Sequence, residues 1–245
     1  MKTLIRSYLQ KTLGFKQYLA LFSLYKIYAI RIDKKEKDFL QFIKLIPAKG
    51  LILDIGANIG LTCVTLARSR PLATVYAFEP IPQNLQILKQ NIRLFRLKNT
   101  KIFPIALGNE NKMIDMIMPV VDQTKMQGLC HVVHDDMPKQ SEGIHFNVPV
   151  RTLDSMLNET ANTLPVVAVK IDVEHFEWAV LEGSLGLLSR YKPVIYCELA
   201  ENQNRTKSFN MLASLGYKAN VIHKNQLVDY NTSIHRTDNF IFAAA

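Results

Sequence analysis

The chain has 245 residues, 48% of them hydrophobic, and a formal charge of +9. That size suits one α/β domain of ordinary core with a small extension. Three cysteines, Cys63, Cys130 and Cys197, stand far apart without CxxC or Cys/His ligand spacing, which argues against a disulfide scaffold or a zinc site and fits a reducing cytoplasm.

The charge is uneven. Residues 1–50 hold 11 Lys/Arg and 3 Asp/Glu, a balance of +8, while the other 195 hold 19 and 18. The basic character belongs to the N-terminal segment, so nucleic-acid binding by the whole domain is not implied. In that segment Leu4, Tyr8, Leu9 and Leu13, then Leu21, Leu24, Tyr25 and Tyr28, recur at helical spacing. Residues 1–48 are therefore expected to form a helical extension. Its helices either pack on the domain or on a second copy of the chain, or rest as a basic amphipathic surface on an anionic membrane or acidic partner. The apolar run Leu19–Ile30, broken by Lys26, is too short to span a bilayer, and no small-residue cleavage site follows a charged start, which speaks against a signal peptide.

Residues 49–245 read as the catalytic body. Gly50–Gly60 ("GLILDIGANIG") is an apolar strand, a glycine-bearing turn and a helix start, with that helix stopped by Pro71. Ala73–Pro80 is a second buried strand carrying Glu79. Pro82–Phe95 places Leu85, Leu88, Ile92 and Phe95 on one helical face. Thr100–Leu107 reads as a third strand and Met113–Met118 as a short fourth. Periodicity fades over residues 121–147, a candidate lid or insert containing His131 and His134. Val148–Leu157 runs from strand into short helix. After the strand from Val166 come a helix over about Phe176–Leu188, a strand over Lys192–Leu199, a helix ended by Gly216, and a closing antiparallel pair, Tyr217–His223 with Asn239–Ala245.

Strands alternating with helices predict a mostly parallel, seven-stranded sheet with helices on both faces. In such sheets ligands bind at the carboxyl ends of the strands. That rule puts the turn after Asp54, Glu79, the turn after Leu107, Asp172–His175 and Glu198 along one edge. Gly56 and Gly60 permit close backbone approach there, and Asn58 tolerates left-handed dihedrals. An acid at Glu79, 25 residues after Asp54, can accept both hydrogen bonds of a ribose diol. Together these favour a nucleoside-containing cofactor. The turn is not GxGxxG and carries no phosphate-binding lysine, and no Tyr-x-x-x-Lys pair appears in the chain. A cofactor without pyrophosphate, bearing an amino-acid moiety, fits best: S-adenosylmethionine. A nicotinamide-dependent oxidoreductase and a non-catalytic binding subunit are the alternatives.

In the strand before Asp172, Lys170 is an unusual cation among apolar residues and is expected to pair with an acid. Lys170, Asp172 and Glu174 are expected on one face. Glu177 fits a helix first turn. Asp172, Glu174, His175 and Glu198 are the candidate catalytic groups. His175 could serve as base or relay, narrow the pocket, or point to solvent. Asp172, Glu198 and a histidine could ligate a divalent ion, but no tight cluster is visible and no metal is expected.

The segments "LDIGANIGLT", "VYAFEPIPQNLQILKQNI", "IALGN", "VPVRTLDSML", "VKIDVEHFEWAVLEG" and "PVIYCEL" resemble the FkbM family of S-adenosylmethionine-dependent methyltransferases. They lie between Leu53 and Leu199. The resemblance implies a Rossmann-like class I methyltransferase fold and methyl transfer, usually to a hydroxyl of a small molecule, sugar or glycan. By position it places Asp54, Gly56, Ala57, Asn58 and Gly60 around the methionine part. Glu79 and Pro80 fall at the ribose, Ala106 and Leu107 beside the adenine, and Asp172 and Glu174 on the acceptor side. The family pattern has glycine after "KIDVE", where this chain has His175. Glycine would let the substrate approach the backbone; histidine would fill that space.

Overall fold

The computed structural model describes residues 2–133, 142–160 and 163–244. Its helices are α1 (Lys2–Leu13), α2 (Phe15–Ala29), α3 (Lys37–Leu45), α4 (Leu61–Ser69), α5 (Pro82–Leu94), α6 (Leu153–Glu159), α7 (Glu177–Glu182), α8 (Leu185–Tyr191) and α9 (Gln203–Ser214). The strands of the main sheet are β1 (Leu51–Ile55), β2 (Thr74–Phe78), β3 (Thr100–Phe103), β9 (Val166–Ile171), β10 (Val194–Glu198), β11 (Tyr217–His223), β12 (Gln226–Asp229) and β13 (Asn239–Ala244). They lie in the order β12-β11-β13-β10-β9-β1-β2-β3. β3, β2, β1, β9 and β10 are parallel neighbours, and β13 runs antiparallel between β10 and β11. Five parallel strands and the closing antiparallel pair match the expected architecture and β12 adds an eighth at the edge, but the expected fourth strand, Met113–Met118, and the strand from Val148 lie outside this sheet.

Alternation along β1 shows how the sequence builds both layers. Leu51, Leu53 and Ile55 enter one core with α6, α7, α8 and α9. Ile52, from the other face, enters a second core with Phe39, Phe42, Cys63 and Leu66 of α3 and α4. A strand buried on both faces must be apolar throughout, apart from residues with an internal partner. Asp54 is that exception.

Four expectations need correction. The third strand ends at Phe103, because Pro104 has no N–H to continue the ladder. Ala106–Leu107 forms a separate strand, β4, which leaves the main sheet. The stretch over 121–147 is not without structure where it is described. β5 spans Lys112–Val121, β6 Thr124–Lys125, β7 His131–Val132 and β8 Gly143–Arg151. These make a second sheet, β4-β8-β5-β6, with β7 also on β5. Residues 134–141, including His134, lie outside the described residues. The helix expected over Phe176–Leu188 is two helices: a Cβ on Gly183 would strike the carbonyl oxygen of Gly108, and the chain turns there. Finally, β9 ends at Ile171, so strand alternation does not carry Glu174.

α1 and α2 pack against the domain. Gln10 clamps the backbone of β6, donating to Lys125 O at 3.1 Å and accepting from Lys125 N–H at 3.0 Å. Asn91 of α5 donates to Ser23 Oγ of α2 at 3.0 Å. No helix among the described residues is long and apolar enough to cross a membrane.

Candidate active site

The turn after β1 is tied to the end of β2. The N–H groups of Gly56 and Ala57 donate to Phe78 O at 3.1 and 2.9 Å, and Asn58 N–H donates to Glu79 Oε2 at 2.8 Å. Asn58 adopts φ 48° and its Oδ1 accepts from Ile59 N–H at 2.8 Å. Gly56, at φ 76°, lies against the end of β9: a Cβ there would collide with the Asp172 carbonyl oxygen. The glycine therefore serves chain packing as much as any ligand.

Beneath this turn sits an ion triad, buried at Asp54 and Lys170 and partly exposed at Asp172. Register places Asp54 opposite Lys170 across β1 and β9. Lys170, 2% exposed, lies 3.5 Å from both Asp54 Oδ1 and Asp172 Oδ2, and its Nζ donates to Gly56 O at 2.9 Å. Asp54, fully buried, also accepts from Thr62 Oγ1 at 2.9 Å. Burial raises the Asp54 carboxyl above the ordinary range despite the Lys170 charge. Burial opposes the Lys170 ammonium, but the charges of Asp172 and Asp54 outweigh it and hold its pKa up. The triad ties the first turn to the end of β9.

These elements wall a cleft that opens to solvent and encloses about 650 Å³ when its open mouth is included. Its far wall comes from the second sheet and the adjoining loop: Met116, Gln127, Gly128, Cys130 and Val132. The sequence reading missed that wall. Three carboxylates, Glu79, Asp172 and Glu174, line the cavity, and among the described residues no Lys or Arg does. Glu79 is buried and accepts from the N–H groups of Asn58 and Ile81 (2.8 and 2.9 Å) and from Asn84 Nδ2 (3.4 Å). Burial still lifts its pKa to about 7. Glu174 is lifted to about 8, first by burial and then by the negative charge of Asp172. Glu177 is no solvated first-turn acid. It is buried, accepts from the N–H groups of Val173 and His175 at 3.1 and 3.2 Å, and is raised to about 7 by burial. It thereby pins the loop that carries Glu174.

Gly56, Asn58, Glu79, Pro80, Ala106, Leu107, Asp172 and Glu174 all face this cavity. Asp54, Ala57, Gly60, His175 and Glu198 do not line it. Asp54 is occupied by Thr62 and Lys170, Ala57 is packed away, and Gly60, at φ 96°, abuts Leu88. Glu198 is exposed at the end of β10, its pKa raised by partial desolvation and then by Asp172. His131 binds back to Leu129 O through Nδ1 at 2.9 Å and lies outside the cavity. Among the described residues no group of His, Cys, Asp or Glu is arranged to hold a metal ion.

His175 is exposed and follows Glu174 in a left-handed pair, φ 52° then 74°. Positive φ accounts for glycine as the pattern at this position: an L side chain there carries strain of about 1–2 kcal/mol. The expectation that His175 narrows the pocket is replaced by this backbone reason. His175→Gly should raise unfolding free energy by about 0.5–1 kcal/mol in a urea titration, after the added entropy of the unfolded glycine. A lower urea midpoint would show instead that the imidazole makes a stabilising contact.

The geometry suits a ligand with a vicinal diol. Glu79 keeps acceptor capacity toward the cavity, and two O–H donors would favour its ionised form. Asn84 Oδ1 is buried beside it without a partner, which a buried polar atom should not be unless a ligand or water completes it.

Known proteins bear on this arrangement. A curated relative, Methyltransferase 1 of Beauveria bassiana (strain ARSEF 2860), is 27% identical over 151 residues. That match covers 56% of this chain and 59% of the relative. The crystal structure of the methyltransferase FkbM from Methylobacillus flagellatus KT superposes with a TM-score of 0.53 at 15% identity, over 96% of this chain and 59% of that one. Cofactor-bound Rv0187 from MTB superposes with a TM-score of 0.51 at 15% identity, over 98% and 95%. At such identities the structural likeness speaks for the fold, which is that of the class I methyltransferases. The Methyltransferase FkbM domain matches residues 54–219, spanning β1, the ion triad and the cavity's carboxylates, and the chain belongs to that family.

Proposed function

We propose that this methyltransferase uses S-adenosylmethionine to methylate a hydroxyl oxygen of a small molecule or glycan. The observation that carries the reading is the sign of the cavity: three carboxylates line it, and the nearby cation, Lys170, is already engaged by Asp54 and Asp172. A dinucleotide pyrophosphate would find no free cation in this lining, whereas a sulfonium and an ammonium would favour the ionised form of Glu79 and Glu174. Bound S-adenosylmethionine supplies an electrophilic methyl group on a cationic sulfur.

The protein's own part is alignment, exclusion of water and proton removal. Glu79 and Asn84 hold the ribose side. Phe176, Val173 and Met116 give the cavity apolar walls. Asp172 is engaged by Lys170 at 3.5 Å. Among the described residues Glu174 has no ion pair, and its pKa of about 8 matches the removal of a hydroxyl proton near neutral pH. We therefore assign the acceptor proton to the Glu174 carboxylate.

Calorimetry tests the cofactor. S-adenosylmethionine and its demethylated product should bind, and Glu79→Ala should weaken binding by about 1.5–3 kcal/mol, or roughly 10- to 150-fold. Binding of NAD with no binding of either sulfur nucleoside would overturn the reading.

A further inference from the structure

α2 is apolar nearly all round. Its inner face buries Leu19, Ser23 and Ile27 against α4 and α5. Its outer face repeats apolar residues at helical spacing: Leu21, Tyr25 and Tyr28, continued by Ile32 just past the helix. On α1, Leu4, Ile5 and Tyr8 are presented in the same way. All seven are between 55% and 84% exposed. A helix apolar on both faces needs a second partner, and an exposed stripe of this size marks an interaction surface.

Charge identifies the partner. Residues 4–38 carry eight Lys/Arg against three Asp/Glu. Two of those acids, Asp33 and Glu36, are already bound by Lys26, at 2.6 and 3.3 Å. Lys11, Lys16, Arg31, Lys34, Lys35 and Lys37 remain exposed. Beside the start of α2, Lys16 forms a shallow groove with Lys89 and Arg93 of α5. Exposed aromatic and aliphatic residues rimmed by lysine and arginine match an acidic bilayer surface, where rings enter the interface and cations meet phosphate. A second copy of the chain would bring the same positive charge against itself. The helices are held ready by the Gln10–Lys125 clamp and the Ser23–Asn91 bond.

We propose that the outer face of the α1–α2 hairpin docks on anionic lipid. It lies on the interface without spanning it, since 15 residues of α2 reach only about 22 Å.

Sedimentation of the full chain with vesicles tests this independently of any enzymatic activity. Vesicles of phosphatidylcholine with about 30 mole percent phosphatidylserine should carry the protein down at least about ten-fold better than pure phosphatidylcholine, less so as salt rises. Lys34→Glu with Lys35→Glu, and separately Leu21→Ser with Tyr25→Ser, should each cut acidic-vesicle binding by about ten-fold. All four residues are exposed, so thermal unfolding should be unchanged and serves as the control. Equal binding to both vesicle types, or no effect of either pair, would overturn the proposal. So would a dimer in solution that dissociates on Leu21→Ser with Tyr25→Ser, because that would give the face to a second copy.

Discussion

Lys170→Met should lower the unfolding free energy by about 3–5 kcal/mol, the cost of leaving a buried charge without its partner. At about 2–4 °C per kcal/mol for a chain of this size, the midpoint should fall by roughly 6–20 °C. Methionine keeps an unbranched stem in the same channel, so little packing is lost. What disappears is the cation 3.5 Å from Asp54 and Asp172 and the bond to Gly56 O. Asp54 cannot turn to water, because it is fully buried. It can only take up a proton, toward which burial already biases it. The loss should therefore be larger at pH 8 than at pH 5. Adding Asp54→Asn to Lys170→Met should restore at least about 1 kcal/mol, because the unpaired charge is then gone. A double variant no more stable than Lys170→Met would put the damage in packing and not in charge.

The triad also shows what a sequence can reveal. A lysine inside "VVAVKID" has to have an internal partner, and acids at Asp54 and Asp172 were in view. Which acid it meets depends on strand order: β9 lies directly beside β1, with more than a hundred residues between them in the chain. The parallel core was legible for a similar reason. Short apolar runs followed by turns leave few arrangements once right-handed crossovers are required. Glu79 was legible because its place, at the end of the second strand, follows from that order.

The second sheet escaped for a different reason. Ile144, Phe146, Val148 and Val150 alternate with His145, Asn147 and Pro149, a plain period of two. Polar residues upstream obscured its first half, so that only the part from Val148 reads as strand. With only the end of β8 from Val148 read as strand and β5 read as Met113–Met118, their pairing in a second sheet was not seen, and the cavity wall made by Met116, Cys130 and Val132 had no place to go. The backbone at Glu174–His175 was hidden more deeply. Two consecutive residues at positive φ follow from Glu177 gathering the N–H groups of Val173 and His175, a tertiary demand that outweighs local preference.

That same strained loop carries the residue on which turnover should depend most. The Glu174 carboxyl has a folded pKa of about 8 against an ordinary 4.5, so the folded state holds its proton more tightly than the unfolded state does. The resulting stabilisation is complete below about pH 4.5 and is lost as pH rises toward 8. Glutamine stays neutral throughout. Glu174→Gln should therefore match the parent protein at about pH 4.5 and below and exceed it increasingly as pH rises, by a few kcal/mol and at most about 4 kcal/mol at pH 8. Turnover should move the other way, falling about 100-fold, with cofactor affinity little changed. In the parent, kcat/KM should climb with pH and level off above about 8 as the carboxyl ionises; in the variant that limb should be absent. A gain in stability joined to a loss of rate is the mark of a group held in an unfavourable place for its chemistry. Full turnover in Glu174→Gln would pass the proton to Asp172.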